Sequence, residues 1–178
     1  MKILKTKING PMIIKSTIYK DKRGYLRETY KNHFFKKINF PFDVMSCSKK
    51  NVLRGLHIQT QKTQAKIITV TYGKIFDVAV DLRKNSKTFG KTFKIILSDK
   101  NCLSLYVPEG FAHAYYSYEK TNIIYYKLTN YYKPKFESGI NLLDADLKIK
   151  WPKKNFSISK KDKKLLSLKD FCKIYKSL

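Results

Sequence analysis

The sequence predicts an all-β sandwich or barrel on three observations. Short runs rich in β-branched and aromatic residues recur along the chain, turn-forming groups separate them closely, and helix signals stay weak until the C-terminal end. In order, the runs are Ile13 to Tyr19, Tyr25 to Tyr30, Val52 to Gln59, Ile67 to Tyr72, Ile75 to Asp81, Thr92 to Leu97, Leu103 to Val107, Ala112 to Tyr118 and Asn122 to Thr129. Between them stand Asp21 to Gly24, Tyr72 to Lys74, Ser98 to Asn101, Pro108 to Gly110 and Glu119 to Thr121, which supply Gly, Pro, Asn and Asp for turns. Such spacing argues against βαβ units. Short helices are expected at Phe34 to Ile38, Asp162 to Leu168 and Leu168 to Tyr175.

With 178 residues and 43% apolar content the chain is long enough to bury one real core. It shows no internal repeat or low-complexity linker, so one domain spanning residues 1–178 is expected. No stretch approaches the ~18 consecutive apolar residues of a membrane span. Met1 to Lys7 also lacks the apolar run of a signal peptide, and a cytoplasmic protein is expected. Cys47, Cys102 and Cys172 share no metal-ligand spacing and are odd in number, which points to reduced structural thiols.

The formal charge of +25 invites a nucleic-acid or anionic-membrane partner, because a basic surface recruits polyanions. The composition discounts that reading. Of 38 basic residues 34 are lysine, and Ile, Asn, Tyr and Phe are abundant with them, the signature of an A/T-rich coding bias. The lysines are scattered through every segment, with only short groups such as Lys160-Lys161 and Lys163-Lys164, as expected of a solvated face. Arg23, Arg27, Arg54 and Arg83 are then informative, since a guanidinium fork grips phosphate or carboxylate in a way that lysine cannot copy. A structural ion pair is the alternative for each of them.

Of three histidines, His57 and His113 lie on predicted strands. Imidazole suits proton transfer near neutral pH, although a lone strand histidine is more often structural. Simple alternation along Leu53 to Gln59 puts Gly55, His57 and Gln59 on one face with Leu53, and small and polar residues together there suggest a lined cavity. Pro108-Glu-Gly-Phe-Ala-His113 matches the Pro-x-Gly-x-x-His turn and strand of cupin barrels. Metal-binding cupins gather several His and carboxylate ligands, commonly with a His-x-His pair. His57-Ile58-Gln59 breaks that set, so no metal is expected, and histidines kept in a metal-free barrel suit proton transfer or anion binding.

Several linked segments carry a more specific resemblance. They are Asp21 to Glu28, Val52 to Gln59, Gln64-Ala-Lys66, Ile75 to Arg83, Pro108 to His113, Tyr126 to Tyr132, Gly139-Ile-Asn141, Asp144 to Leu147 and Trp151-Pro152. In order and spacing they resemble the dTDP-4-dehydrorhamnose 3,5-epimerase family, over roughly Ile14 to Asp162. The resemblance implies a cupin-type double-stranded β-helix, or jelly-roll barrel, with short peripheral and C-terminal helices, acting as a homodimer without cofactor or metal. It implies epimerisation at C3 and C5 of a nucleotide-linked 4-keto-6-deoxy sugar, in the route to L-rhamnose for a surface polysaccharide.

Residue by residue, the resemblance makes His57 the base, Tyr126 the acid on the opposite face of the sugar, and Asp162 the carboxylate that orients the histidine. Lys66 matches the residue that stabilises the enolate oxygen. Arg54 and His113 are placed near the sugar and diphosphate, and Tyr132 along the pocket. Arg23 and Glu28 match residues that reach the nucleotide across the dimer. Plainer roles stay open at this stage: Tyr126 as one strand tyrosine among 13, Lys66 as one lysine among 34, Asp162 as a helix cap and Glu28 as an ion-pair partner.

The chain departs from the family where Gln and Asn, two residues apart, usually help hold the nucleotide; Phe42 and Val44 stand there. A single-carbon epimerase, or one acting on a GDP- or CDP-linked hexose or heptose, is therefore the close alternative. A non-catalytic sugar-nucleotide-binding cupin is disfavoured, because binding alone needs no base and acid. A nucleic-acid binder is disfavoured by the dispersed lysines.

Overall fold

The computed structural model describes residues 1–175. Thirteen strands build two main antiparallel sheets and one detached hairpin. The six-stranded sheet has the order β1-β2-β10-β7-β12-β5, from Lys2–Lys5, Met12–Lys15, Leu103–Val107, Lys66–Tyr72, Thr121–Leu128 and Phe42–Lys49. The five-stranded sheet has the order β13-β6-β11-β8-β9, from Glu137–Gly139, Leu53–Gln59, Phe111–Ser117, Lys74–Asp81 and Thr92–Ser98. From β5 to β8 successive strands alternate between the sheets, and β9 to β12 do so again, which is the winding of a jelly roll. The all-β expectation holds. Among the described residues no helix is long and apolar enough to cross a membrane.

Period-two alternation sorts the side chains into three layers. Between the sheets pack Ile68 and Val70 of β7, Ile75 and Ala79 of β8, Leu105 and Val107 of β10, Phe111 and Tyr115 of β11, and Ile124 of β12. The opposite faces of the same strands are covered as well. Val78, Val80, Ala112, Ala114 and Tyr116 meet Ile140, Leu142, Leu147 and Phe171 of the C-terminal segment. Ile14, Ile67 and Tyr106 meet Phe35, Tyr30 and Phe40 on the other side of the molecule. Strand β11 is therefore buried along its whole length.

The C-terminal segment matters because it carries Asp162. The amides of Leu53 and Asn141 donate to the Ser157 and Leu166 carbonyls, stitching the segment along the five-stranded sheet. Helix α1, Leu168–Ile174, is capped by Ser167, whose hydroxyl accepts from the Asp170 amide at 3.0 Å. Phe171 anchors it at 2% exposure, a burial that contributes roughly 1.5–3 kcal/mol.

Several sequence expectations need correction. The run Ile13 to Tyr19 is not one strand but β2 followed by β3, Ile18–Asp21, because pairing lapses at Ser16-Thr17 and β3 leaves the six-stranded sheet for the hairpin. Strand β4, Gly24–Arg27, ends before Tyr30. Strands β1, β5 and β13 fall outside the pattern-based runs. Of these β5 is an edge strand with five of eight residues exposed, so no clear apolar alternation marks it. The expected helices shrink to 3-10 turns at Asn32–Phe35 and Asp162–Lys164, and only Leu168–Ile174 is α-helical.

Candidate active site

A cavity of about 220 Å³ opens between the two sheets, and its walls carry Arg54, His57 and His113 from the five-stranded sheet and Lys66 and Tyr126 from the six-stranded one. A larger hollow of about 580 Å³ lies among the β7–β8, β9–β10 and β11–β12 turns. It has no histidine, so the smaller cavity is the one with proton-transfer chemistry.

Arg54 and His57 are three residues apart, and strict alternation would separate them. They share the cavity because β6 bulges: His57 pairs with His113 and Arg54 with Tyr115, leaving Gly55 and Leu56 opposite Ala114 alone. This corrects the sequence-based face assignment, which grouped His57 with Leu53; Leu53 is in fact packed in the outer layer. Gly55 makes the bulge possible. It has φ +121°, and a Cβ there would sit 2.5 Å from the His113 carbonyl oxygen.

His57 Nε2 lies 2.8 Å from Asp162 Oδ1, and the other Asp162 oxygen accepts from the Gly55 amide at 3.3 Å. Burial would raise the Asp162 carboxyl, but the hydrogen bond and charge of His57 hold it below its ordinary value. An ionised Asp162 accepts a hydrogen bond from Nε2–H, which leaves the lone pair on Nδ1. The Asp162 side chain thus serves the histidine and not a helix terminus. His113 forms a second pair, with Nε2 at 2.8 and 3.0 Å from the oxygens of fully buried Asp77. The two histidines differ in access: the His57 side chain is 31% exposed and that of His113 is 6%.

Lys66 opens β7, and desolvation in the cavity wall pulls its ammonium pKa down to about 8, against the attraction of Glu137 and Asp77. Tyr126 faces the cavity from β12, and burial pushes its phenol well above the ordinary value, so it is protonated at neutral pH. Arg54 Nε donates to Ser48 Oγ at 3.0 Å. Val44 lies on the cavity wall, while Phe42 packs beside it against Tyr131 with ring centroids 5.4 Å apart.

Besides Phe42, three binding residues expected at the site stand outside the cavity of this chain. Arg23 projects from the exposed β3–β4 hairpin with its side chain 84% exposed and pairs with Asp21 at 2.7 Å. Glu28 pairs with Lys31 at 2.7 Å and faces the N-terminal amine at 3.6 Å. Tyr132 is at the surface, where its hydroxyl donates to Glu137. The four arginines also divide in role. Arg27 is spent on Ser16, Ser104 and the Val70 carbonyl, and Arg83 forks onto buried Asp81 at 2.9 and 2.8 Å. Both are structural.

Glu137 is a site residue that the sequence reading missed. Its carboxylate lies 3.9 Å from His57 Nδ1 and accepts from Tyr132 and Lys161. Burial would raise its pKa, but those partners hold it below the usual value. Asp77 was also missed, although an acid inside the apolar run Ile75 to Val80 is a signal, since a buried carboxylate needs a partner.

A model of the family described as dTDP-4-dehydrorhamnose 3,5-epimerase matches residues 5–170. A curated dTDP-4-dehydrorhamnose 3,5-epimerase of Methanothermobacter thermautotrophicus is 41% identical over 176 residues, covering 95% of each chain. A crystal structure of dTDP-6-deoxy-D-glucose-3,5-epimerase from Legionella pneumophila, in complex with dTDP-4-keto-L-rhamnose, superposes with a TM-score of 0.91 at 39% identity, covering 94% of this chain and 93% of that one. A 3'-monoepimerase from Streptomyces bikiniensis, in complex with dTDP-quinovose, has a TM-score of 0.90 at 26% identity, covering 96% and 90%. Matched by the family model over residues 5–170 and 41% identical to that curated relative across 95% of each chain, this chain belongs to the dTDP-4-dehydrorhamnose 3,5-epimerase family.

Proposed function

We propose that the chain is a metal-independent isomerase that inverts C3 and C5 of dTDP-4-dehydro-6-deoxyglucose, giving dTDP-4-dehydro-L-rhamnose. The observation that carries this reading is the placement of His57 and Tyr126 on opposite walls of one cavity, from different sheets. A sugar ring held between them presents one face to a base and the other to an acid.

The C4 ketone acidifies the hydrogens on C3 and C5. His57 Nδ1 removes one of them, and Asp162, with Glu137 nearby, stabilises the imidazolium that forms. The electron pair moves into an enolate whose oxygen is stabilised by the Lys66 ammonium. Tyr126 then returns a proton to the opposite face, exchange with solvent takes the proton from the imidazolium and reprotonates the phenolate, and the cycle repeats at the second carbon. Each cycle removes one proton and restores one, so no redox cofactor or metal is required, and a chelator is expected to leave the rate unchanged.

Deuterium wash-in tests the reading directly. In D2O with dTDP-4-dehydro-6-deoxyglucose, NMR is expected to show exchange at both C3 and C5 with inversion. Exchange at one carbon alone would make this a single-carbon epimerase, and none at all would leave a binding protein.

The nucleotide needs its own test because of Phe42 and Val44. Where amide side chains are replaced by apolar ones the base loses hydrogen-bond partners, and an unpaired buried polar group costs ~1 to 3 kcal/mol. Phe42, already beside Tyr131, offers an aromatic face instead, and stacking discriminates weakly among bases. Competitive binding is expected to give similar affinities for dTDP, UDP, CDP and GDP, with Phe42→Gln plus Val44→Asn restoring a preference for dTDP. A strong wild-type preference for dTDP that the double substitution leaves unchanged would show that these positions do not set the choice.

A cytoplasmic homodimer belongs to the same proposal. The β3–β4 hairpin leaves Tyr19, Tyr25 and Leu26 more than half exposed at 57%, 54% and 63%, as a segment that packs on a second copy would. Arg23 and Glu28 then reach the partner's nucleotide, Arg23 towards phosphate and Glu28 towards the base. Arg23→Ala is expected to raise KM with little change in kcat. Light scattering at the assay concentration that finds a fully active monomer would contradict the shared site.

A further inference from the structure

We propose that Tyr115, together with Ser46 and Ser48, is a positioning residue for Tyr126, forming a hydroxyl chain from Arg54 that aims a hydrogen-bond donor at the Tyr126 oxygen. This rests on the reading of Tyr126 as the acid. That mechanism leaves a phenolate inside the barrel each time Tyr126 gives up its proton, and a buried anion needs donors. The chain of hydroxyls supplies one.

The contacts run in sequence. Arg54 Nε lies 3.0 Å from Ser48 Oγ, Ser48 Oγ lies 2.8 Å from the Tyr115 hydroxyl, that hydroxyl lies 3.3 Å from Ser46 Oγ, and Ser46 Oγ lies 3.4 Å from the Tyr126 hydroxyl. One end of the chain is fixed in polarity. A guanidinium only donates, so Ser48 accepts there and has its single proton free for Tyr115. In the polarity proposed, Tyr115 in turn donates to Ser46, and Ser46 to Tyr126. The last two contacts are long at rest. A hydrogen bond to an anionic oxygen is shorter and stronger than one to a neutral hydroxyl, so they tighten as the phenolate forms.

The architecture favours this over simple core filling. Ser46 and Ser48 are alternate residues of β5 on one face, and Tyr115 reaches them from β11 in the other sheet. Ser48 and Tyr115 are 2% and 3% exposed, so water has little access to the middle of the chain. Around Tyr126 stand Lys66 and the His113 ring, whose centroid is 6.4 Å away, with the charge of Asp77 behind it. Burial and then the nearby Tyr115 raise the Tyr126 phenol, while the Ser46 hydrogen bond opposes them.

The test compares Tyr115→Phe, Ser46→Ala, Ser46→Thr and Tyr126→Phe for kcat, KM and the ratio of deuterium exchange to inversion. Tyr115→Phe keeps the ring and removes only the hydroxyl. It is expected to lower kcat for inversion about tenfold, less than direct loss of a transition-state donor, with KM within about twofold and exchange outpacing inversion. Ser46→Ala is expected to do the same, and Ser46→Thr to restore the wild-type ratio. If Tyr115→Phe fails to fold by thermal melting, the Ser46 pair carries the test. Wild-type kcat and ratio in Tyr115→Phe and Ser46→Ala, with Tyr126→Phe inactive in inversion, would overturn this inference alone. A fully inverting Tyr126→Phe would instead overturn the acid assignment beneath it.

Discussion

Replacing His57 by asparagine is expected to abolish deuterium exchange at C3 and C5 together, lowering the rate by roughly 10³-fold, the usual scale for loss of a general base. Both carbons depend on the same imidazole because the cavity holds one accessible histidine. His113 is a poor substitute because its side chain is only 6% exposed, against 31% for His57. Asparagine is the informative replacement. Its amide can still donate to Asp162, whose carboxylate is 4% exposed, so the fold is not asked to carry an unpaired buried charge. The melting temperature should stay close to wild type while exchange disappears. Wild-type exchange in His57→Asn would exclude the mechanism, and loss of exchange in His113→Asn alone would move the base to the neighbouring strand.

How far this site was legible depends on how local each residue's signal is. The segment Leu53 to Gln59 announced a histidine beside an Arg-Gly pair, but period-two alternation gave the wrong companions. A bulge at Gly55 adds one residue to the count, and nothing in a strand pattern records it; the left-handed φ of Gly55 does. Asp162 lies 105 residues from His57 in sequence. Its place beside the histidine is set by Phe171 and the stitched C-terminal segment, which only the three-dimensional packing, or resemblance to a family, connects. Glu137 had no signal of its own, because β13 has three residues and its pairing with Gln59, Ile58 and His57 is long-range. Strand β5 escaped the pattern for a related reason. As an edge strand it exposes Val44 and Met45, and its inward residues Ser46 and Ser48 are polar because they serve the cavity and not the core. The arginines show the limit of composition: scarcity singled out Arg54, which lines the cavity, but Arg27 and Arg83 are equally scarce and hold the fold.

Lys66→Met is expected to lower kcat by roughly 10²- to 10³-fold, the usual consequence of deleting one group that stabilises a developing oxyanion. The charge is what matters, and it is poised to be lost. Desolvation brings the Lys66 pKa to about 8, against the pull of Glu137 and Asp77, so the ammonium is present below that pH and disappears as pH rises through it. The kcat/KM profile, which reports the free enzyme, should therefore fall on its alkaline side near pH 8. A bound diphosphate adds negative charge, favours the ammonium and should move the corresponding limb of kcat upward. Lys66→Arg separates charge from titration. A guanidinium stays protonated throughout this range, so that variant should lose the limb near pH 8 even where its bulkier fork costs activity. Steady-state rates from pH 6 to 10 for the three proteins decide the matter. A Lys66→Met enzyme within threefold of wild type, or a Lys66→Arg enzyme with an unchanged alkaline limb, would show that another group carries the enolate charge.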